Sequence, residues 1–175
     1  MNSVLFVCTA NRCRSPVAAA LLRRHLVIAS SWRAVCDTQP APQADAAWRI
    51  QSAGTWAQSG LPLDRTMARV TGEQRLDLGQ HCARRIEDVQ PLQQFRLILT
   101  MEQGQKEALR IEFPAAARRI YLLSEMVGLV YDIPDPTGKP MAEYRITLAQ
   151  LDRLIAEGFP RIVRLSGGCE VTRVN

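Results

Sequence analysis

Apolar positions along the chain fall into short continuous blocks separated by longer amphipathic stretches. Val4-Leu5-Phe6-Val7 is a run of strand length with no polar alternation, the pattern of a strand buried on both faces. From Pro16 to about Ile28 the apolar residues, Val17, Ala18, Leu21 and Leu22 among them, follow helical spacing. Trp48–Ser52 reads as a short second strand, and Leu63 to about Leu78 as a helix with Gly72 as a candidate break. Phe95–Thr100 is a third strand, Glu102–Glu112 a helix ended by Phe113-Pro114, and Arg119–Leu123 a fourth strand. Met141–Glu157 is a long amphipathic helix with Tyr144, Leu148, Leu151, Leu154 and Ile155 near one face. This alternation predicts an α/β fold: one domain, a four-stranded parallel sheet with helices on both faces and right-handed crossovers. Two stretches carry no clear period. Ser30–Ala47, rich in Gln, Pro, Ala and Asp around Trp32, reads as an enlarged loop with at most a turn of helix. Residues after Pro160 read as a loose tail containing Gly167-Gly168, which sets the expected domain at 1–160 and the tail at 161–175.

Composition narrows the class. At 175 residues, with 47% apolar and 22% charged residues, the chain has the make-up of an ordinary globular domain long enough to bury a proper core. No apolar run approaches the ~20 residues that span a bilayer, and the first strand begins almost at Met1, with no charged-then-apolar leader. The five cysteines, Cys8, Cys13, Cys36, Cys82 and Cys169, are odd in number and form no C-x2-C pair. That argues against a structural zinc and for reduced thiols in a cytoplasmic protein, with neither metal nor cofactor expected. The formal charge of +5 comes from scattered arginines rather than a basic block. It reads as solvated helix faces and attraction for phosphorylated or acidic substrates, not as a nucleic-acid surface.

The candidate chemistry lies between the first strand and the first helix, in Cys8-Thr9-Ala10-Asn11-Arg12-Cys13-Arg14-Ser15-Pro16. Cys8 and Arg14 stand in C-x5-R spacing. A strand-to-helix loop can turn its N–H groups inward and, with the positive helix end, cradle an oxyanion. Ser15 is a good N-cap and Pro16 a good first helical residue. The same field favours a thiolate at Cys8, and the planar fork of Arg14 suits two oxygens of a phosphoryl group. Spacing alone favours a packed cysteine at a strand end and a surface arginine. The buried strand before the motif, Asn11 within it and Arg-Ser-Pro after it favour a phosphate loop and a covalent cysteinyl-phosphate intermediate. Thr9, Ala10, Asn11, Arg12, Cys13 and Ser15 complete the expected phosphate-binding loop. Asn11 is expected in the left-handed region, which asparagine tolerates, and the Ser15 hydroxyl is placed to donate to the Cys8 sulfur. Departure of an ester oxygen requires a proton and the attacking water a base, and one carboxyl group can serve both. Asp135, between Pro134 and Pro136, is the candidate; simple turn chemistry is its alternative and Asp132 its competitor.

Five segments in this order carry a family resemblance: Val7–Pro16, Ser52-Ala53-Gly54-Thr55, His81-Cys82-Ala83-Arg84, Phe95–Met101 and Asp135-Pro136. Together they resemble the low-molecular-weight protein tyrosine phosphatase family, which also includes protein arginine phosphatases and thioredoxin-coupled arsenate reductases. The resemblance implies Cys8 as nucleophile, Arg14 as phosphate clamp and Asp135 as general acid and base. It implies that Cys13 forms a protective disulfide with an oxidised Cys8, and that Ser52 and His81 hydrogen-bond toward the asparagine. It points to phosphotyrosine protein as substrate, phosphoarginine protein as the alternative, and bacterial tyrosine kinases as a partner class. Arsenate reduction ranks below these, because no partner cysteine follows Cys82 within the next several residues. A non-catalytic phosphate-binding module is disfavoured by the intact Cys8, Arg14 and Asp135. Three features depart from the family pattern. Arg12 replaces the branched apolar residue of the tyrosine phosphatases and the threonine of the arginine phosphatases. Thr137-Gly138 replaces the aromatic pair that follows Asp-Pro in many tyrosine phosphatases, and Gly138 resembles the Asp-Pro-Phe-Gly variant of the arginine phosphatase branch. Trp56 is placed either to supply an apolar pocket wall or to join the core.

Overall fold

The computed structural model describes residues 1–36, 48–76 and 78–167. Strand β1 (Asn2–Cys8) is central, as its unbroken apolar run requires. It pairs in parallel with β2 (Trp48–Gly54) on one side and β3 (Leu97–Thr100) on the other, and β4 (Ile120–Leu122) adds beyond β3, giving the order β2-β1-β3-β4. The four-stranded parallel sheet is as expected. Side chains of β1 alternate between two cores. Val4, Phe6 and Cys8 face the layer of α1 (Arg14–Cys36), α2 (Arg65–Glu73) and α4 (Met141–Leu165). Leu5 and Val7 face the layer of α3 (Gln103–Glu112) with Ile86, Val89, Leu92 and Ala116. Val4, Leu5, Phe6 and Val7 are all fully buried, each contributing roughly 1.5–3 kcal/mol relative to exposure.

The chain moves from β1 to one side for β2 and then crosses to the other for β3, so the loop after β1 lies where the strand order reverses. Open parallel sheets bind ligands at such a point. Register brings Cys8 opposite Gly54, and Val7 opposite both Ala53 and Thr100. The loops after β1, β2 and β3 therefore leave the sheet together.

Several boundaries differ from the periodicity. Helix α1 continues to Cys36, so residues 30–36 are helix rather than loop; residues 37–47 lie outside the described residues. It also begins at Arg14, one residue before the expected cap. Helix α2 is shorter than Leu63–Leu78: Asp64 caps it by accepting from the N–H groups of Thr66 (2.9 Å) and Met67 (3.0 Å), and it ends at Glu73, just after Gly72. The tail expected from residue 161 is instead helical to Leu165 through Pro160, because Ile162 and Val163 are buried. Ser166 closes against the sheet, its carbonyl accepting from Ser3 N–H at 3.3 Å. The remainder of that tail, from residue 168, lies outside the described residues. Among the described residues no helix is long and apolar enough to cross a membrane.

Candidate active site

The loop from Cys8 to Arg14 is held from outside by its carbonyl groups. Those of Cys8, Thr9, Arg12 and Cys13 accept from the N–H groups of Thr55 (3.0 Å), Trp56 (2.9 Å), Asp64 (2.8 Å) and Val17 (3.4 Å). The Asn11 carbonyl lies 2.7 Å from His81 Nε2. In a planar trans peptide the C=O of one residue and the N–H of the next point in opposite directions. Carbonyls turned outward at these five positions therefore turn the N–H groups of Thr9, Ala10, Arg12, Cys13 and Arg14 toward the centre. Asn11 makes the curve possible with φ of 54°. Gly54 allows the loop to close on β2: a Cβ there would stand 2.4 Å from the Thr9 carbonyl oxygen and 2.9 Å from Asn11 N.

Cys8 ends β1 inside this ring, its Sγ 3.0 Å from Ser15 Oγ. Ser15 Oγ also accepts from Asn11 Nδ2 at 2.9 Å and lies 3.3 Å from the Ala53 carbonyl oxygen. The hydroxyl has one proton to give, and a thiolate, which only accepts, is a partner for it. This corrects the expected cap: α1 already includes Ser15, whose hydroxyl is turned into the loop rather than onto the helix N–H groups. The first turn of α1 carries no acidic residue, although carboxylates favour that end of a helix. Arg14 adds a positive charge there instead.

Arg14 is 1% exposed yet charged. Its Nη1 donates to Glu102 Oε1 and, at 2.7 Å, to the Ile133 carbonyl; its Nη2 donates to Asp135 Oδ2 at 2.5 Å. Its Nε is buried and has no partner among the described residues. Burial disfavours the guanidinium charge, but Cys8, Asp135 and Glu102 outweigh it and raise its proton affinity. Burial also pushes the Asp135 carboxyl up. Hydrogen bonds from the Thr137 hydroxyl (2.7 Å) and N–H (3.0 Å), together with Arg14, outweigh that and hold it below its ordinary value. Cys13 is buried within the loop, and burial above all, then the charges of Asp135 and Cys8, pushes its thiol well above the ordinary value. Burial lowers the His81 proton affinity, and because a carbonyl oxygen only accepts, Nε2 is the donor to Asn11.

The structure thus brings Cys8, Arg14, Asp135, Asn11, Cys13 and Ser15 together. Asp132 is directed elsewhere, accepting from Gln103 N–H at 2.7 Å. His81 reaches the asparagine through its backbone carbonyl. Ser52 does not hydrogen-bond the asparagine. Its carbonyl accepts from Arg84 Nη2 at 3.2 Å, and Arg84 N–H, not Ser52, donates to Asn11 Oδ1 at 2.9 Å. Trp56 is not core: it is 87% exposed and fixed beside the loop by its backbone bond to Thr9. Ala10 is exposed and Arg12 half-buried at the rim. Sequence reasoning missed Glu102 and Gln105. Gln105 accepts from the N–H groups of Met101 (3.1 Å) and Glu102 (3.2 Å) and donates to Thr9 Oγ1 at 3.1 Å. The available signal was their place just after β3, at the same end of the sheet as the loop.

The low molecular weight phosphotyrosine protein phosphatase family model matches residues 38–163. The chain belongs to this family. Its members are hydrolases, and this chain is one of them. Over 162 residues it is 30% identical to a probable low molecular weight protein-tyrosine-phosphatase, EpsP, of Ralstonia nicotianae, covering 93% of this chain and 97% of the relative. A low molecular weight protein tyrosine phosphatase from T. tengcongensis superposes with a TM-score of 0.74 at 30% identity, covering 92% of this chain and 99% of that one. The YwlE arginine phosphatase from Geobacillus stearothermophilus superposes with a TM-score of 0.73 at 28% identity, covering 90% of each chain. The phosphatase family match begins beyond the Cys8–Arg14 loop, so the loop geometry and the family match are separate observations.

Proposed function

We propose that the chain is a protein tyrosine phosphatase in which Cys8, Arg14 and Asp135 act on a phosphoryl group seated among the inward N–H groups. The observation that carries the reading is this ring of N–H donors with Cys8 Sγ at its end and, next to it, the buried Arg14, whose Nε has no partner among the described residues. Five aligned N–H groups and a guanidinium suit a dianion that grows more negative in the transition state. Cys8 attacks phosphorus as a thiolate, the phosphorus–oxygen ester bond breaks, and the leaving phenolic oxygen takes its proton from Asp135. The Asp135 carboxylate then takes a proton from water, which attacks the cysteinyl-phosphate and releases inorganic phosphate. Ser15 donates to the returning Cys8 thiolate. A phosphate dianion that engages the Arg14 fork removes a stabilising partner from Asp135 and adds a like charge beside it. Both raise the proton affinity of the carboxyl, as an acid requires.

Phosphotyrosine fits better than phosphoarginine because Arg12 places a positive charge at the rim, where phosphoarginine would bring its own guanidinium. The exposed ring of Trp56 stands beside the loop, suited to an aromatic leaving group. A phosphorylated protein is the proposed partner, with a bacterial tyrosine kinase as one such substrate. The cytoplasm is the proposed location, in keeping with free Cys8, Cys13 and Cys82. Steady-state hydrolysis of an aryl phosphate tests the mechanism. Cys8→Ser abolishes turnover, and Asp135→Ala slows departure of poor leaving groups most. Full activity in Cys8→Ser refutes it.

A further inference from the structure

Arg12 differs from the other cations around the loop. Its flanking residues, Asn11 and Cys13, are buried in the cradle, while Arg12 itself stands at the rim. Its backbone is fixed by the bond from Asp64 N–H to its carbonyl at 2.8 Å. Its side chain is fixed by Nε, which donates to the Pro62 carbonyl at 2.8 Å. One end of the guanidinium is thereby tethered. Arg14 is answered by Glu102 and Asp135, and Arg84 by the Ser52 carbonyl. No carboxylate among the described residues lies within ion-pair distance of Arg12. The Asp64 carboxylate, close in sequence to the Arg12 contacts, is taken by the first turn of α2. A tethered guanidinium loses less side-chain freedom on pairing than a free one. Its planar fork is matched to carboxylate geometry.

We propose that Arg12 is a specificity-determining residue that pairs with an acidic side chain next to the phosphorylated tyrosine, so that the preferred substrate is a phosphotyrosine in an acidic stretch of protein. The proposal rests on the phosphatase reading above. Arg12 also sits beside the seat of the phosphoryl group, so a long cation there selects against substrates with lysine or arginine flanking the tyrosine. The role is one of uniform binding, made in both ground and transition states, and belongs in KM rather than kcat.

The test compares two phosphotyrosine peptides that differ only in Asp and Glu against Ala at the residues flanking the tyrosine. Wild-type protein, Arg12→Gln and Arg65→Gln are each assayed with both peptides. Arg65 is an exposed cation in the first turn of α2 and controls for the general positive field. Because both peptides are read on the same protein, their ratio of kcat/KM does not depend on the folded fraction. Wild type is expected to favour the acidic peptide about fivefold at low salt, through KM, with the ratio falling toward one in Arg12→Gln and unchanged in Arg65→Gln. Raising ionic strength from about 0.01 M to about 1 M, which shortens the screening length from about 30 Å to about 3 Å, is expected to shrink the wild-type ratio. No preference in wild type, an equal preference in Arg12→Gln, or an equal loss in Arg65→Gln would overturn the proposal. Turnover of the alanine peptide, and its loss in Cys8→Ser, tests the phosphatase reading separately.

Discussion

Glu102→Gln is the change that most directly tests how Arg14 is held. The substitution keeps the length of the side chain and removes its charge, leaving Asp135 and the Ile133 carbonyl as the remaining partners of a guanidinium that is 1% exposed. Removing one partner of a fully buried pair costs about 3–5 kcal/mol, whereas an exposed pair is worth less than about 1 kcal/mol. Glu102 is itself 36% exposed and a second carboxylate remains, so the expected loss lies between these limits, at about 1–2 kcal/mol. For a domain of this size that lowers the thermal midpoint by about 2–8 °C. The effect on rate should be larger than this loss implies for folded protein. With one of its three anchors weakened the fork no longer meets the phosphoryl oxygens in a fixed position, and an error of about 1 Å can cost a hundredfold. A kcat for aryl phosphate about ten- to a hundredfold below wild type is expected, with partial recovery in Glu102→Asp, which keeps the charge on a shorter stem. Thermal unfolding and steady-state kinetics on the same preparations decide it. A lowered midpoint with wild-type kcat would make Glu102 a stabilising partner only. No change in either would show that the contact carries no energy, and the account of how Arg14 is oriented would fail.

Three further changes probe the surroundings. Gly54→Ala places a Cβ 2.4 Å from the Thr9 carbonyl oxygen and must displace the loop; kcat/KM is expected to fall much further than the folded fraction, and wild-type turnover would show that the loop does not depend on this approach. The Tyr144 hydroxyl accepts from Gly138 N–H at 3.2 Å and faces the Asp64 carboxylate, linking the loop of Asp135 to the residue that holds Arg12. Tyr144→Phe is expected to cost about 1 kcal/mol of stability and to slow poor leaving groups more than good ones; equal slowing of both would assign the hydroxyl to stability alone. The Asp135 carboxyl has a folded pKa below its unfolded value of about 3.8. Its ionised form therefore stabilises the fold above the unfolded value, and that contribution is lost as pH falls through the lower folded one. Asp135→Asn is expected to flatten the pH dependence of urea-unfolding stability in that acid window, and an unchanged slope would refute the assignment.

The parts of this site that were legible in the sequence are those the backbone builds locally. Seven consecutive residues make the cradle, so Cys8, Arg14 and the left-handed Asn11 could be read from one short run, and the apolar blocks placed it at the end of a central strand. Where local preference competed with tertiary contacts, the contacts prevailed. Ser15 before proline is a strong capping pattern, but its hydroxyl is drawn to Cys8 Sγ and Asn11, and the helix starts a residue earlier. Pro160 should end α4, at about 3 kcal/mol for a proline inside a helix. Burial of Ile162 and Val163 beyond it returns roughly 1.5–3 kcal/mol each, enough to carry the helix to Leu165. What could not be read were contacts made across the fold. Glu102 stands 88 residues from Arg14, and Arg84 reaches the Asn11 side chain across 73. Glu102 has no pattern of its own, because a glutamate before a helix is a common surface residue, and the His81–Arg84 segment marked Arg84 without showing that its N–H meets the Asn11 side chain. The same asymmetry governs specificity. The N–H groups that bind phosphate belong to the backbone and are nearly indifferent to which side chains the loop carries. Arg12, Trp56 and Thr137 are side chains carried by three different loops, Trp56 bonded through its backbone to Thr9 and Thr137 through its hydroxyl to Asp135. The reaction could therefore be inferred from spacing, while the choice of substrate rests on where the Pro62 carbonyl holds a single guanidinium.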